Sequence, residues 1–276
     1  MVNDKQGGSD ERRPRRASNA GGPRRSPRDH RSGPATGPNR ARPSQPQHSP
    51  DDQPARQDGP PIPAEIDARA LAPEIRRELT TLDRATADFV ARHLVAAGEL
   101  LDDDPEAALA HARAARGRAA RIPSVREAVG IAAYQCGDWA QALAELRAAR
   151  RMGSKSALLP LIADCERGVG RPERAIELAR SPEAAELSGD AADEMRMVVA
   201  GARSDMGERE RALAILSTPQ LDPTRSGPTA ARLFYAYAET LLSLGRHDEA
   251  LQWFINAAAA DIDGVTDAEE RVSELA

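Results

Sequence analysis

The sequence predicts an all-α fold, a stack of about five helical hairpins, and three observations predict it. The first is a register of alanines, Ala108, Ala142, Ala175, Ala212 and Ala250, separated by 34, 33, 37 and 38 residues. Each follows a turn signal: Asp103-Asp104-Pro105, Gly137-Asp138-Trp139, Gly170-Arg171-Pro172, Gly207-Glu208-Arg209 and Gly245-Arg246-His247. A period near 34 with a turn between two helical stretches marks a helical-hairpin repeat. The second is another small residue twelve positions earlier in every unit: Ala96, Gly130, Ala163, Ala200 and Ala238. Small residues at both places let two antiparallel helices approach closely. Large neighbours then fill the seam: Val95, Val129, Ile162, Val199 and Tyr237 on one helix, Leu109, Leu143, Ile176, Leu213 and Leu251 on the other. The third is an apolar stripe along the first helix of each unit, spaced 3 and 4 as a buried helical face requires.

Taken in order, 64–82 reads as a broken helix with Ile66, Ala70, Ile75, Leu79 and Leu82 on one side and Pro73 interrupting it. It should cover the first hairpin, because a terminal repeat must not leave an apolar face wet. Five repeats span 83–260. The stripe is weakest in the first unit, where Ala91, Leu94, Val95 and Gly98 run into Asp102. It continues as Val125, Ala128, Val129, Ala132 and Cys136, then as Leu158, Leu161, Ile162, Cys165 and Val169. The fourth unit has Met195, Val198, Val199, Ala202 and Met206; the fifth has Leu233, Ala236, Tyr237, Thr240 and Leu244. Pro182 and Pro219 fall where the second helices of units three and four would continue, so those helices should be short. Over 261–276, Thr266-Asp267-Ala268-Glu269 has the pattern of a capping box ahead of Val272 and Leu275, predicting a short acidic closing helix.

Val129-Gly130, followed by Gly137-Asp138-Trp139 and Ala142-Leu143, resembles a tetratricopeptide (TPR) repeat, and Ala250 followed by Phe254 has its alanine-to-aromatic spacing. The resemblance covers roughly 84–260. It departs from the family where the aromatic slot of the first helix holds Arg92, Arg126, Leu159 and Arg196, with only Phe234 aromatic, and where the late proline is missing. It implies a right-handed superhelix of helix pairs and a protein-binding role, with the first helix of each pair, helix A, lining a concave groove. The Lys/Asn/Arg clamp with which some family members hold chaperone C-termini has no counterpart. His93, Ala97 and Leu101, then Glu127, Ile131 and Gln135, stand at those positions.

Composition divides the chain near residue 63. Residues 1–63 hold 12 of the 21 prolines, 7 of the 20 glycines and no aromatic residue, a composition that predicts disorder. They carry 12 of the 38 basic residues against 7 of the 43 acidic ones, +5; the rest of the chain is at −10. Within 12–42 ten arginines face one acid, Asp29, and only Lys5 and Lys155 in the whole chain are lysine, the bias of a GC-rich genome such as an actinobacterial one. Arginines at 12–42 can touch nucleic-acid phosphates, so an RNA- or ribosome-associated protein acting through the tail is the alternative to a protein-binding scaffold. No aromatic residue interleaves to stack on bases, which favours a solubilising tail. Ser18 and Ser26 follow paired arginines, as in basic kinase sites. The charge division also suggests that the basic tail folds back onto the acidic body and competes with a partner there. The first residues lead into no apolar run, no stretch approaches membrane-spanning length, and two cysteines suit a reducing compartment; the expectation is a cytoplasmic protein.

Signs of catalysis are scarce. Cys136 and Cys165 fall on the buried stripes, as small core residues more than as a redox pair. Among His93, His111 and His247 no two stand at ligand spacing, so neither metal nor cofactor is expected. Asp102-Asp103-Asp104 reads as a helix start before Pro105. No phosphate loop, dinucleotide fingerprint or nucleophile elbow appears, and no enzyme or small-molecule substrate is expected. The candidate site is therefore a partner-binding groove on the helix-A positions off the stripe. These are Glu127, Ile131, Tyr134, Asp164, Arg167, Met197, Ser204, Arg232, Tyr235 and Glu239, with Tyr134 and Tyr235 as aromatic anchors.

Overall fold

Five helix pairs follow one another along the chain in a computed structural model that describes residues 59–154 and 157–276. All of these lie in one compact unit, Pro54–Ala276, and there is no β-strand among them. After 3-10 turns at Ala68–Ala70 and Leu79–Thr81 flanking α1 (Pro73–Glu78), the first helices of the pairs are α2 (Arg84–Glu99), α4 (Pro123–Gln135), α6 (Leu159–Gly168), α9 (Gly189–Asp205) and α11 (Pro228–Ser243). Their partners are α3 (Pro105–Ala119), α5 (Trp139–Arg151), α7 (Pro172–Ala179), α10 (Arg209–Leu216) and α12 (His247–Ala260), with a four-residue α8 (Pro182–Ala185) after α7 and a closing α13 (Ala268–Leu275). As the two prolines predict, α7 and α10 are the short partners, at 8 residues each. Pro182 starts α8, and Pro219 follows the end of α10 after a cis Thr218–Pro219 bond.

The small-residue register is the seam. All five repeated alanines have no exposed surface, and their partners Ala96, Ala163, Ala200 and Ala238 are at most 3% exposed. At Gly130 a Cβ would lie 2.6 Å from Leu146 Cγ and 3.2 Å from the Leu146 backbone nitrogen, so α4 and α5 touch backbone to side chain. The second helices also pack on the next pair, α3 on α4, α5 on α6, α7 on α9 and α10 on α11. Core cluster membership crosses units accordingly: Ala97 and Ala108 of the first, Val129 and Leu146 of the second, and Ile162 of the third belong to one apolar cluster. Thus each hairpin's second apolar face is covered by its neighbour.

Four of the five turns between paired helices have one construction. Gly137, Gly170, Gly207 and Gly245 have φ between 70° and 77°, a left-handed conformation costly for other residues. The next residue's amide returns to a carbonyl five positions back (Asp138 to Ala133, Arg171 to Glu166, Glu208 to Arg203, Arg246 to Leu241), closing the Schellman motif that satisfies the helix end. The first turn has no glycine and relies on Asp104, whose carboxylate accepts from the Ala107 amide at 3.0 Å and caps α3. Asp104→Ala should therefore lower stability by about 1 kcal/mol, a melting-temperature drop of about 2–4 °C by circular dichroism.

The ends differ in detail from expectation. Pro73 does not interrupt a helix; it occupies the first turn of α1, where its missing N–H costs nothing. Ile66, Leu71 and Leu79 are buried against α2, so the covering role is met. Glu78 accepts from the Ser124 amide at 3.1 Å and caps α4 from 46 residues away. At the other end the capping box does not form. The Thr266 hydroxyl donates to Asp261 at 2.6 Å, leaving Asp267 as the first flanking residue of α13. Asp261 outcompetes because it also gathers the amides of Val265 and Thr266, three donors on one carboxylate. Of the predicted tail 1–63, residues 1–58 lie outside the described residues, and with them the arginines of 12–42 and both serine motifs. Over 59–63, Gly59 lies against His93 and Ala114, and Ile62 packs on the first core cluster, so these residues belong to the body.

Candidate functional site

The predicted groove residues all lie on α4, α6, α9 and α11, but only Ser204 and Arg232 are exposed; the others are half-buried. The reason is that helix A of one unit reaches helix A of the next. The Tyr134 hydroxyl on α4 donates to Asp164 on α6, whose other oxygen accepts from Arg167 at 2.6 Å. Arg167 continues to Asp205 on α9 at 2.8 Å, and Arg232 on α11 pairs with Glu194 on α9. Glu127 accepts from Ser154 at 2.8 Å, and Glu239 pairs with Arg271 of α13 at 2.8 Å. Met197 is half-buried against the fourth and fifth units' core.

These contacts divide the predicted groove into three parts. At one end α1 approaches Glu127 and Ile131, leaving a recess of about 400 Å³ that they share with Ile75 and Glu78. At the other end α13 meets Tyr235 and Glu239: Asp267 is hydrogen-bonded to the Tyr235 hydroxyl, and Arg271 pairs with Glu239. Between them, Tyr134, Asp164 and Arg232 come together around a recess of about 480 Å³ with Pro160, Leu161 and Val198 in its wall. This middle recess joins an apolar wall to a phenol, a carboxylate and a guanidinium, the mixture that fixes a peptide side chain and its neighbouring backbone. Arg167, Ser204 and Met197 do not line it.

Tyr134 and Tyr235 are not free anchors. Tyr134 meets Trp139 edge-on at a centroid distance of 5.0 Å, and Tyr235 meets Phe254 likewise at 5.3 Å. Burial, reinforced by Asp164, pushes the Tyr134 phenol far above its ordinary range; burial and the hydrogen bond to Asp267 do the same for Tyr235. Both phenols therefore stay neutral, Tyr134 joining α4 to α6 and Tyr235 packing within the fifth pair beside α13. Trp139, which the sequence marks only as part of a turn and repeat motif, also packs on Gly168, where a Cβ would lie 2.4 Å from its ring. The groove's carboxylates bear on the tail fold-back expectation: Asp164, Glu194 and Glu239 each already hold an arginine of the body, and Glu127 holds Ser154.

Two of the three histidines that the sequence leaves without a role meet in the structure. His93 on α2 and His111 on α3, 18 residues apart, meet Nδ1 to Nδ1 at 2.9 Å, and both are buried. One ring must donate and the other accept, so the pair shares a single proton along that line. Burial first, then the imidazole of His111 and the guanidiniums of Arg118 and Arg92, hold His93 down at about 4. Burial also lowers His111. No group of three metal-ligating side chains occurs among the described residues. Cys136 and Cys165 are unpaired thiols; burial pushes Cys165 up to about 12 and raises Cys136 too, so both stay protonated at neutral pH. No described helix is long and apolar enough to cross a membrane.

Compared with known proteins, the chain matches no family model and no curated protein.

Proposed function

We propose that this chain is a non-catalytic protein–protein interaction scaffold whose TPR-like stack of five hairpins winds as a right-handed superhelix and holds a peptide or protein segment along its helix-A face. The observation that carries this reading is the middle recess. It is the one stretch of the predicted groove that neither α1 nor α13 flanks, and it presents Tyr134, Asp164 and Arg232 beside Pro160, Leu161 and Val198. Its polar groups are held in place by neighbours in the adjacent units, which limits the side-chain ordering that binding costs. An extended segment placing one aliphatic side chain against Leu161 and its backbone amides toward Asp164 suits it. The resemblance of 84–260 to TPR repeats and the buried small-residue seam support the same reading.

Selection of displayed random peptides on the full-length protein tests it, with Ala157→Trp as the plugged control. Ala157 is exposed at the edge of the recess, so the indole can fill it without displacing core atoms. Peptides enriched on the wild type should lose at least tenfold in affinity for the variant, with the melting temperature kept within about 2 °C. Equal binding to both would remove the recess from the account. Binding that disappears when residues 1–58 are deleted would favour the tail-based alternative.

A further inference from the structure

A recess of about 940 Å³ lies away from the helix-A face, between the covering segment and α2. Its floor is apolar, with Leu79, Leu82 and Ala91, and its rim carries Arg69, Arg76 and Arg84 against one acid, Asp88. These three arginines are exposed, and no carboxylate of the described residues comes within ion-pair distance of any of them. Apart from Asp88, acids near the recess have partners elsewhere: Asp83 and Glu78 accept backbone amides, and Glu74 pairs with Arg77. Guanidinium groups with no carboxylate partner among the described residues, set around an apolar floor, suit a ligand that brings both carboxylates and an aliphatic side chain.

The chain carries such a ligand at its other end. Ile262 in the loop before α13 is 75% exposed, the highest value among the large apolar side chains of the described residues, and Val265 in the same loop is 42% exposed. Asp263 in that loop and Glu269 and Glu270 in the first turn of α13 are exposed and hold no basic partner. Asp261, by contrast, braces the loop through three hydrogen bonds, so the apolar and acidic groups are presented on an ordered loop and helix start. Preorganisation of that kind lowers the cost of association.

We propose that the arginine-rimmed recess receives the 262–270 segment of a second copy of this chain, joining copies head to tail. Ile262 and Val265 cover the floor formed by Leu79 and Leu82, while Asp263, Glu269 and Glu270 meet Arg69, Arg76 and Arg84. Because the two surfaces differ, the contact is heterologous and each added copy leaves another recess open. It uses neither the helix-A recess nor its aromatic residues, so it stands or falls separately from the proposed peptide binding.

Sedimentation velocity of the full chain from 5 to 200 µM tests it. In low salt the weight-average mass should rise with concentration, and the apparent dissociation constant should weaken at least tenfold between 50 mM and 500 mM NaCl. Arg76→Glu with Arg84→Glu should abolish association, and so should Glu269→Arg with Glu270→Arg. All four side chains reach solvent, and unchanged melting temperatures would show that both variants fold. Mixing the two variants is the decisive arm. The intact recess of one then meets the intact C-terminal segment of the other, and the reversed charges of the remaining two surfaces are again complementary, so association should return. A wild type that stays monomeric at 200 µM, or a mixture that stays monomeric, overturns the proposal. So does loss with the acidic-helix variant alone, which would place that helix on another basic surface, such as 12–42.

Discussion

Gly130→Leu should lower stability by about 3 kcal/mol or more, a fall of roughly 6–12 °C in melting temperature. The glycine sits at the crossing of α4 and α5, where even a Cβ would overlap the side chain of Leu146 and press on its backbone nitrogen. Side-chain atoms could rotate away, but the backbone nitrogen cannot move without displacing α5, so the pair must separate. Gly117 supplies a control of opposite sign. It lies within α3 with nothing within 4 Å of an added Cβ. Gly117→Ala should accordingly stabilise by about 0.5–1 kcal/mol through helix propensity alone. Differential scanning calorimetry of the two variants separates close approach from a general effect of replacing glycine. A Gly130→Leu protein that melts like the wild type would mean that the seam is not tightly packed.

Acidification should destabilise the chain well before its carboxylates titrate. His93 titrates at about 4 in the folded chain, against about 6.5 when unfolded. The fold therefore favours the neutral ring, and this contribution is complete above about pH 6.5. It is lost as pH falls from there toward 4, because the unfolded chain binds the proton first. Between pH 7.5 and 5 the loss amounts to about 2 kcal/mol from His93, with the lowering of His111 acting in the same direction. Replacing both rings by leucine should leave stability at pH 7.5 nearly unchanged, since donor and acceptor go together. It should also remove most of the decline to pH 5. Replacing His93 alone should cost about 1–3 kcal/mol at pH 7.5, because His111 is left buried without its partner. Urea melts at the two pH values read all three variants, and a double variant that keeps the full pH dependence would contradict the shared-proton arrangement.

The hairpins were legible because close approach of two helices demands small residues, and small residues at a fixed period stand out in a sequence. The same register also encodes the histidine contact. Ala96 and Ala108 face each other across the first seam, and His93 and His111 lie three residues before and three after them. In an antiparallel pair, equal and opposite offsets from the seam bring side chains together, so the histidine contact followed from the alanine register. The condition of the groove was less legible. Tyr134 and Asp164 are 30 residues apart and Arg232 and Glu194 are 38 apart, close to one repeat. Contacts between successive helix-A faces depend on how one hairpin leans on the next, which no spacing within a unit encodes. The same holds for α1 and α13, whose apolar residues were recognised but whose approach to Glu127 and Tyr235 depends on turn geometry. The capping box failed for a local reason, the competing carboxylate of Asp261 five residues before Thr266.

Hydrogen exchange of the full-length protein, with and without a saturating peptide from the display selection, tests the working face most directly. Helix-A binding predicts slowed exchange in α4, α6, α9 and the start of α11 around Tyr134, Leu161, Val198 and Arg232, with α3, α5, α7 and α12 unchanged. Protection confined to those second helices, or to residues 1–58, would contradict it.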